Sequence, residues 1–297
     1  MTVSLIRAIG AAAVGFLALQ ASLASACEPR FAQSAQSVTA TVTDVGERPT
    51  ARADTQIVLR NDGGSDCAAF LRVSRLNSTT PDPTRSFQLS SNGLPIDILP
   101  TEVSAASSTS DLFVAAIPSG GGLNRSVPIS VVFPAQWGVS SGITTETLLV
   151  QLLDESGQIL DDLVLTVNLD VLPSVMLRIV GATGSERIAR VDLGPLDPRR
   201  INRSAPFGVR VWSTSPYTVT FASQNAGSLV QDIARDRIPY ELRASGREVD
   251  LSGGAPGAFG PKTDGLGIHH PLEISVPPFV AQAGSYSDRV TITVTAG

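Results

Sequence analysis

Histidine, cysteine, methionine and tryptophan each occur only twice in this 297-residue chain, and lysine only at Lys262. These scarcities exclude much chemistry. His269 and His270 are sequence neighbours, and neighbours on a strand point to opposite faces, so the pair is a poor chelate. They are also the only histidine bases open to an acyl-transfer nucleophile. No G-x-S-x-G, H-E-x-x-H or phosphate-cradling Gly-Lys-Ser/Thr motif occurs. Asp161 and Asp162, the adjacent carboxylates, face opposite ways on a strand. The chain therefore reads as a non-enzyme that needs no metal or other cofactor. Its net charge of −5 gives no attraction for nucleic acid or an anionic bilayer. Beyond the first residues, no apolar run is long enough for membrane insertion.

The N-terminus indicates a compartment. Arg7, the apolar run "AIGAAAVGFLALQASLA" and an A-x-A site at 24–26 make residues 1–26 a secretory signal peptide. A lipid-anchored Cys27 is the rival reading, because residues 23–27 resemble a lipobox displaced by one position. Export puts Cys27 and Cys67 in an oxidising compartment. One disulfide between them closes a loop of about forty residues and contributes roughly 3–4 kcal/mol.

What the chain does have is hydrophobic alternation of period two. It runs through "SVTATVTDV" (36–45), "TQIVLRN" (55–61), "AAFLRVSRL" (68–76), "VPISVVF" (127–133), "ETLLVQLL" (146–153) and "LVLTVNLDVL" (163–172). It resumes in "SVMLRIVG" (174–181), "FGVRVWS" (207–213), "YTVTFAS" (217–223), "PYELRAS" (239–245), "LEISVPP" (272–278) and "RVTITVT" (289–295). Turn clusters such as "NDGGSD", "PSGGGLN" and "DESGQ" separate these runs. The pattern predicts an all-β protein of two immunoglobulin-like β-sandwich domains. Pro173 marks the boundary, giving an N-terminal domain over 27–172 and a C-terminal domain over 173–297. One segment, "SLVQDIARD" (228–236), reads as a short helix.

The halves look like imperfect copies. "VVFPAQWGVSSGITTETLLVQL" and "VPPFVAQAGSYSDRVTITV" share an apolar–Pro run, Ala-Gln, a glycine, and an acidic residue (Glu146 or Asp288) opening an alternating strand. After that strand the first half turns and adds another, residues 159–172. The second half adds none, so its sandwich is expected to be one strand short. The open edge would carry Val290, Ile292 and Val294 on its inner face.

The stretches "VRVWSTSPYTVTFASQNAGSLV" (209–230), "IPYELRASGREVDL" (238–251) and "VPPFVAQAGSYSDRVTITVTAG" (276–297) resemble a spore coat protein U domain, the subunit fold of archaic chaperone–usher pili. The resemblance covers most of 174–297, and its closing A-G-x-Y-x-D-x-V-T-x-T-V-T pattern is the most specific part. It implies a sandwich without its seventh strand, whose groove is filled by the N-terminal extension of the adjacent pilin subunit after a periplasmic chaperone has carried it to an outer-membrane usher. This sequence departs from a shaft pilin in having an extra front domain. It also has no alternating donor segment ahead of Cys27. The stretch "FAQSAQSVTATVTDV" alternates too, and is read as the first strand of the front domain because Cys67 gives Cys27 a nearby partner. A subunit that receives a strand but gives none belongs at the tip, and two-domain tip subunits of such pili are adhesins. The implied route is through the periplasm to the cell surface.

An adhesin needs exposed apolar loop tips. The candidates are "SSNGLPIDILPTE" (90–102), with Leu94, Ile96 and Leu99, and "FPAQWGVSSG" (133–142), with Trp137. "LPIDIL" also alternates, which would put its apolar face in a core, and Trp137 can equally plug a sandwich end. Trp212, in mid-strand, reads as core or groove lining. The receptor or surface is not legible. A non-tip pilus or coat subunit with the same domain is the alternative, ahead of a periplasmic chaperone or a hydrolase.

Overall fold

The computed structural model describes residues 27–46, 50–76, 86–100, 111–185, 188–233 and 235–297. The signal peptide, the bulk of the lipobox and residues 101–102 of the first candidate loop lie outside the described residues. Among the described residues the chain is all-β, and none forms a helix long and apolar enough to cross a membrane.

The front half contains β1 (Pro29–Phe31), β2 (Ala35–Val42), β3 (Thr50–Asn61), β4 (Cys67–Arg75), β5 (Gln88–Ser91), β6 (Leu94–Ile96), β7 (Ile98–Leu99), β8 (Leu112–Ile117), β9 (Asn124–Pro134), β10 (Gly142–Leu153) and β11 (Ile159–Val171). Two sheets form, ordered β1-β3-β9-β5-β6 and β2-β11-β10-β4-β7, with β8 also on β4. The alternation explains the packing. Ile57, Leu59, Val131, Phe133, Leu148, Val150, Leu163 and Leu165 all turn inward into one core. Each such side chain contributes roughly 1.5–3 kcal/mol against the entropy of ordering. Asn92 and Gly93, at φ 49° and 82°, make the left-handed two-residue turn that closes β5 onto β6.

The Cys27–Cys67 disulfide, with Cα atoms 5.9 Å apart, pins the start of this sandwich to β4. Buried Asn61 organises the same end. Its Oδ1 accepts the Glu28 and Gly63 amides at 3.0 and 2.9 Å, and its Nδ2 donates to the Ser65 carbonyl. Gly63 is required there, since a Cβ would lie 2.8 Å from Cys27 Cα.

The second half contains β12 (Val175–Val180), β13 (Thr183–Gly184), β14 (Ala189–Arg190), β15 (Asn202–Arg203), β16 (Phe207–Ser213), β17 (Tyr217–Ser223), β18 (Ser228–Gln231), β19 (Arg237–Pro239), β20 (Glu241–Ala244), β21 (Arg247–Glu248), β22 (Ser252–Gly260), β23 (Ile268–Val276), β24 (Tyr286–Ser287) and β25 (Val290–Ala296). One sheet runs β12-β16-β23-β20-β21, with β15 also on β23. The ladders β22-β17-β25 and β19-β18-β24 supply the opposite layer. Val209, Val211, Val219, Phe221, Leu242, Leu272 and Val276 form a second core that shares no residue with the first.

The short helix expected at 228–236 is not formed. Residues 228–231 are β18, with Leu229 opposite Ile238 and Val230 opposite both Arg237 and Ser287. A segment this short gains too little from helical bonds to nucleate, and two strand partners outcompete them.

Pro173 lies between β11 and β12, and a polar joint surrounds it. The Ser141 amide donates to the Thr214 carbonyl at 2.7 Å, and the Ser174 amide to Thr214 Oγ1 at 2.9 Å. Lys262 Nζ donates to the Gly138 carbonyl at 2.6 Å.

Candidate functional site

The candidate site is built on β25. Its residues alternate between half-buried Val290, Ile292 and Val294 and exposed Thr291, Thr293 and Thr295. One edge pairs antiparallel with β17, placing Ile292 opposite Phe221 and Val290 opposite Ser223. Among the described residues no strand pairs with its other edge. The front half gives an internal comparison. There β10 is flanked by β4 and by the full length of β11, and its Leu148, Val150 and Leu152 are wholly buried. β25 has the same type of inward face with a neighbour on one side only.

Beside that edge lies a cavity of about 900 Å³. The facing sheet contributes Ile179, Phe207, Leu242, Leu272 and Ile274, while Val290 and Ile292 line it from β25. Val294 packs against the same core without lining the cavity. Phe279 and Tyr286 wall one part, and residues 189–196 with Pro198 wall another. Apolar side chains from both layers line it alongside polar groups that include Asp192, Gln282, Ser285 and Asp288.

Asp288 is the carboxylate on this inner face. Its Oδ2 accepts the Tyr240 and Ser223 hydroxyls at 2.6 and 2.5 Å, and its Oδ1 accepts the Asn225 amide at 3.1 Å. The network ties the start of β25 to the ends of β17 and β20. Burial, reinforced by Asp288, pushes the Tyr240 phenol well above its ordinary range. Nearby, the Gln282 amide donates to Asp236 Oδ2 at 2.9 Å, and that bond holds the Asp236 carboxyl below its usual value. Tyr286 Oη donates to the Gln282 carbonyl at 2.7 Å. These contacts fix the 279–286 wall.

The adhesion candidates do not come together as a tip. Ile96 is 6% exposed and belongs to the first core, because the β5–β6 turn sends it inward. Leu99 is half-buried on β7, opposite Ser74 of β4. Trp137 is half-buried against the first core at the joint, next to the glycine that Lys262 holds. Only Leu94, at 63% exposure, is an open apolar side chain. Sequence reasoning missed its companion Phe113, 55% exposed on β8 and 5.3 Å from the Phe70 ring. Leu94 and Phe113 border a shallow pocket of about 120 Å³. The run "LFVAAI" has an exposed phenylalanine because Phe113 alternates outward from Val114, a parity the sequence could have offered.

Trp212 is also corrected. Val211 is buried, so Trp212 falls on the outer face, where its Nε1 donates to the Gly265 carbonyl at 3.3 Å and the Arg178 guanidinium lies 5.7 Å from the ring. His269 and His270 do face opposite ways. His270 is buried with its Nε2 2.7 Å from Tyr217 Oη, and burial followed by the His269 charge lowers its pKa. Among the described residues no group of three His, Cys, Asp or Glu side chains is gathered to hold a metal.

No protein-family model matches the chain. No curated protein shows significant similarity to it. Similar solved structures include the CsuC–CsuE complex of chaperone and tip adhesion subunit from archaic chaperone–usher Csu pili of Acinetobacter baumannii. It is 15% identical with a TM-score of 0.44, over 91% of this chain and 99% of that one. CfaE, the adhesive subunit of CFA/I fimbria of enterotoxigenic Escherichia coli, is 10% identical with a TM-score of 0.39, over 91% and 81%. The CupB6 tip adhesin of Pseudomonas aeruginosa is 10% identical with a TM-score of 0.37, over 90% and 94%. Likeness of this degree assigns no role to any residue.

Proposed function

We propose that this chain is a secreted subunit of an archaic chaperone–usher pilus, located at the tip as its adhesin. In this reading residues 27–172 are the binding head, and residues 173–297 are a polymerisation module that accepts a strand from the adjacent pilin. A periplasmic chaperone and an outer-membrane usher are its partners before it reaches the cell surface. The observation that carries the reading is that, among the described residues, one edge of β25 has no pairing strand and lies beside a cavity of about 900 Å³ lined by apolar side chains of both layers. An inserted segment with apolar residues at every second position would supply both ladder bonds and buried side chains. Four or five such side chains at roughly 1.5–3 kcal/mol each give a large stabilisation before entropy costs.

The pairing of β2 supports the tip position. Its alternating residues are committed to β11 along the whole strand, with Val38, Ala40 and Val42 buried in the first core. That segment is not spare for donation.

Two experiments test the proposal. Co-expression with a cognate periplasmic chaperone should yield a soluble one-to-one complex, and recovery of the chain only as a chaperone-free monomer refutes the acceptor role. Antibody against residues 27–172 should decorate filament ends, and staining along the shaft refutes the tip role.

A further inference from the structure

Arg125 is the exception among the described arginines of the front half. Arg30 and Arg60 lie within 4.0 Å of Asp62, Arg52 meets Asp54, Arg72 meets Asp111 and Arg75 meets Glu146. Arg125 has no ion pair or side-chain hydrogen bond among the described residues. Its position is also unusual. β9 turns Val127, Ile129, Val131 and Phe133 into the first core, and Arg125 continues that parity opposite wholly buried Leu59. Core-facing parity ordinarily carries an apolar residue. Here it carries an exposed guanidinium, in the lining of the shallow pocket of about 120 Å³ that Leu94 and Phe113 border.

The pocket lies beside a stretch of β9 with one strand partner. β5 pairs with β9 only at Ser130, Val131 and Val132, so among the described residues 124–128 pair with β3 alone. Pro128 sits in that stretch and has no N–H to offer. An added peptide strand would form an interrupted ladder there, whereas a compact ring needs no ladder. The lining suits a ring with two kinds of surface. Exposed Leu94 and Phe113 are apolar, and Ser91, Asn92 and Ser126 bring hydroxyl and amide groups. A free guanidinium fork binds a carboxylate through two parallel N–H···O bonds. The C–H face of a ring stacks on a phenylalanine, and hydroxyls around that ring meet the polar side chains.

We propose that the pocket rimmed by Leu94, Phe113 and Arg125 is a subsite for an acidic saccharide, holding one sugar ring that carries a carboxylate. The inference rests on the reading of residues 27–172 as a binding head. The rim is open to solvent, so a single ring binds with a Kd of about 1 mM, and firm attachment takes many filaments on one polymer.

The test titrates the full mature chain with D-glucuronate, D-glucose and benzoate, followed by ligand-observed NMR. Glucuronate should bind about tenfold or more tighter than glucose, which lacks the carboxylate, and than benzoate, which lacks the hydroxyls. Arg125→Gln should weaken glucuronate about tenfold, Arg125→Lys nearly as much because the fork is lost, and Phe113→Ala about fivefold. These side chains are exposed, so circular dichroism should show unchanged folds. No binding of glucuronate overturns the proposal outright. Equal binding of glucose overturns the charge recognition, equal binding of benzoate overturns the saccharide class, and indifference to Arg125→Gln overturns the location. A second measurement separates the subsite from the head. Piliated cells are applied to polygalacturonate-coated plates, and the inference expects attachment that antibody against residues 27–172 blocks and Arg125→Gln abolishes. Attachment that the antibody blocks but the substitution leaves intact overturns the subsite and keeps the head reading. Attachment that the antibody does not block overturns both, and wild-type cells that do not attach overturn the subsite.

Discussion

Asp288 and His270 show how single polar groups hold the second sandwich in shape. Asp288 draws the Tyr240 and Ser223 hydroxyls and the Asn225 amide together where β25 begins. Tyr240→Phe removes one bond to a charged acceptor, so it should cost about 1.5–3 kcal/mol in urea unfolding. An unchanged midpoint would remove Asp288 from this role. His270 gives a pH prediction. Its folded pKa lies below the ordinary 6.5, because burial and the His269 charge oppose protonation. Below that value the unfolded chain binds the proton more readily than the folded one. The stability is complete above about pH 6.5 and is lost as the pH falls through the folded value. Melting temperature should therefore drop between about pH 7 and 5, and His270→Gln should flatten that slope. Asp236, whose pKa the Gln282 amide lowers, keeps its contribution through this range and loses it only as the pH falls below the ordinary carboxylate value of 3.8. An equal slope in the variant would show that His270 is not the responsible group.

At the scale of the strand, β25 presents two faces with different expected sensitivities. Ile292→Asp puts a charge among the apolar side chains of the cavity wall and should abolish uptake of a donor segment, while Thr293→Asp on the exposed face should leave it within about twofold. Equal effects at both positions, read by co-purification of chaperone, would contradict the assignment of faces. This is also the scale at which the sequence was most legible. Each long alternating run, from "SVTATVTDV" to "RVTITVT", overlaps an observed strand, because period two is imposed by burial on one face. The elements missed are short and take their pairing from distant residues. β18 looked helical until β19 and β24 claimed it. The 189–198 wall carries Gly194, Pro195 and Pro198 and has no pattern that announces a groove. The inward parity of Val290, Ile292 and Val294 was readable from the alternation, whereas the cavity lining, which includes Val290 and Ile292 but not Val294, was not. Ile96, Leu99 and Trp137 were not, since whether an apolar residue near a turn points in or out depends on the turn and on what packs behind it.

At the scale of the whole molecule, the two halves differ in how their long strands are paired among the described residues. In the front sandwich every long central strand has two neighbours, and the Cys27–Cys67 bond closes its far end. Replacing both cysteines by serine should lower its stability by roughly 3–4 kcal/mol without affecting donor uptake at the rear, since the two cores share no residue. Loss of uptake in that variant would show the halves to be coupled. In the rear half β25 has a pairing neighbour on one edge only among the described residues, and the acceptor proposal rests on the other edge. The most direct test of that proposal is thermal unfolding of the mature chain with and without an alternating apolar segment tethered after Gly297. The acceptor account predicts that the tether raises the unfolding temperature of residues 173–297 by about 10 °C or more and converts an aggregating protein to a monomer. A bare chain that is already monomeric, with a melting temperature the tether does not change, would contradict it.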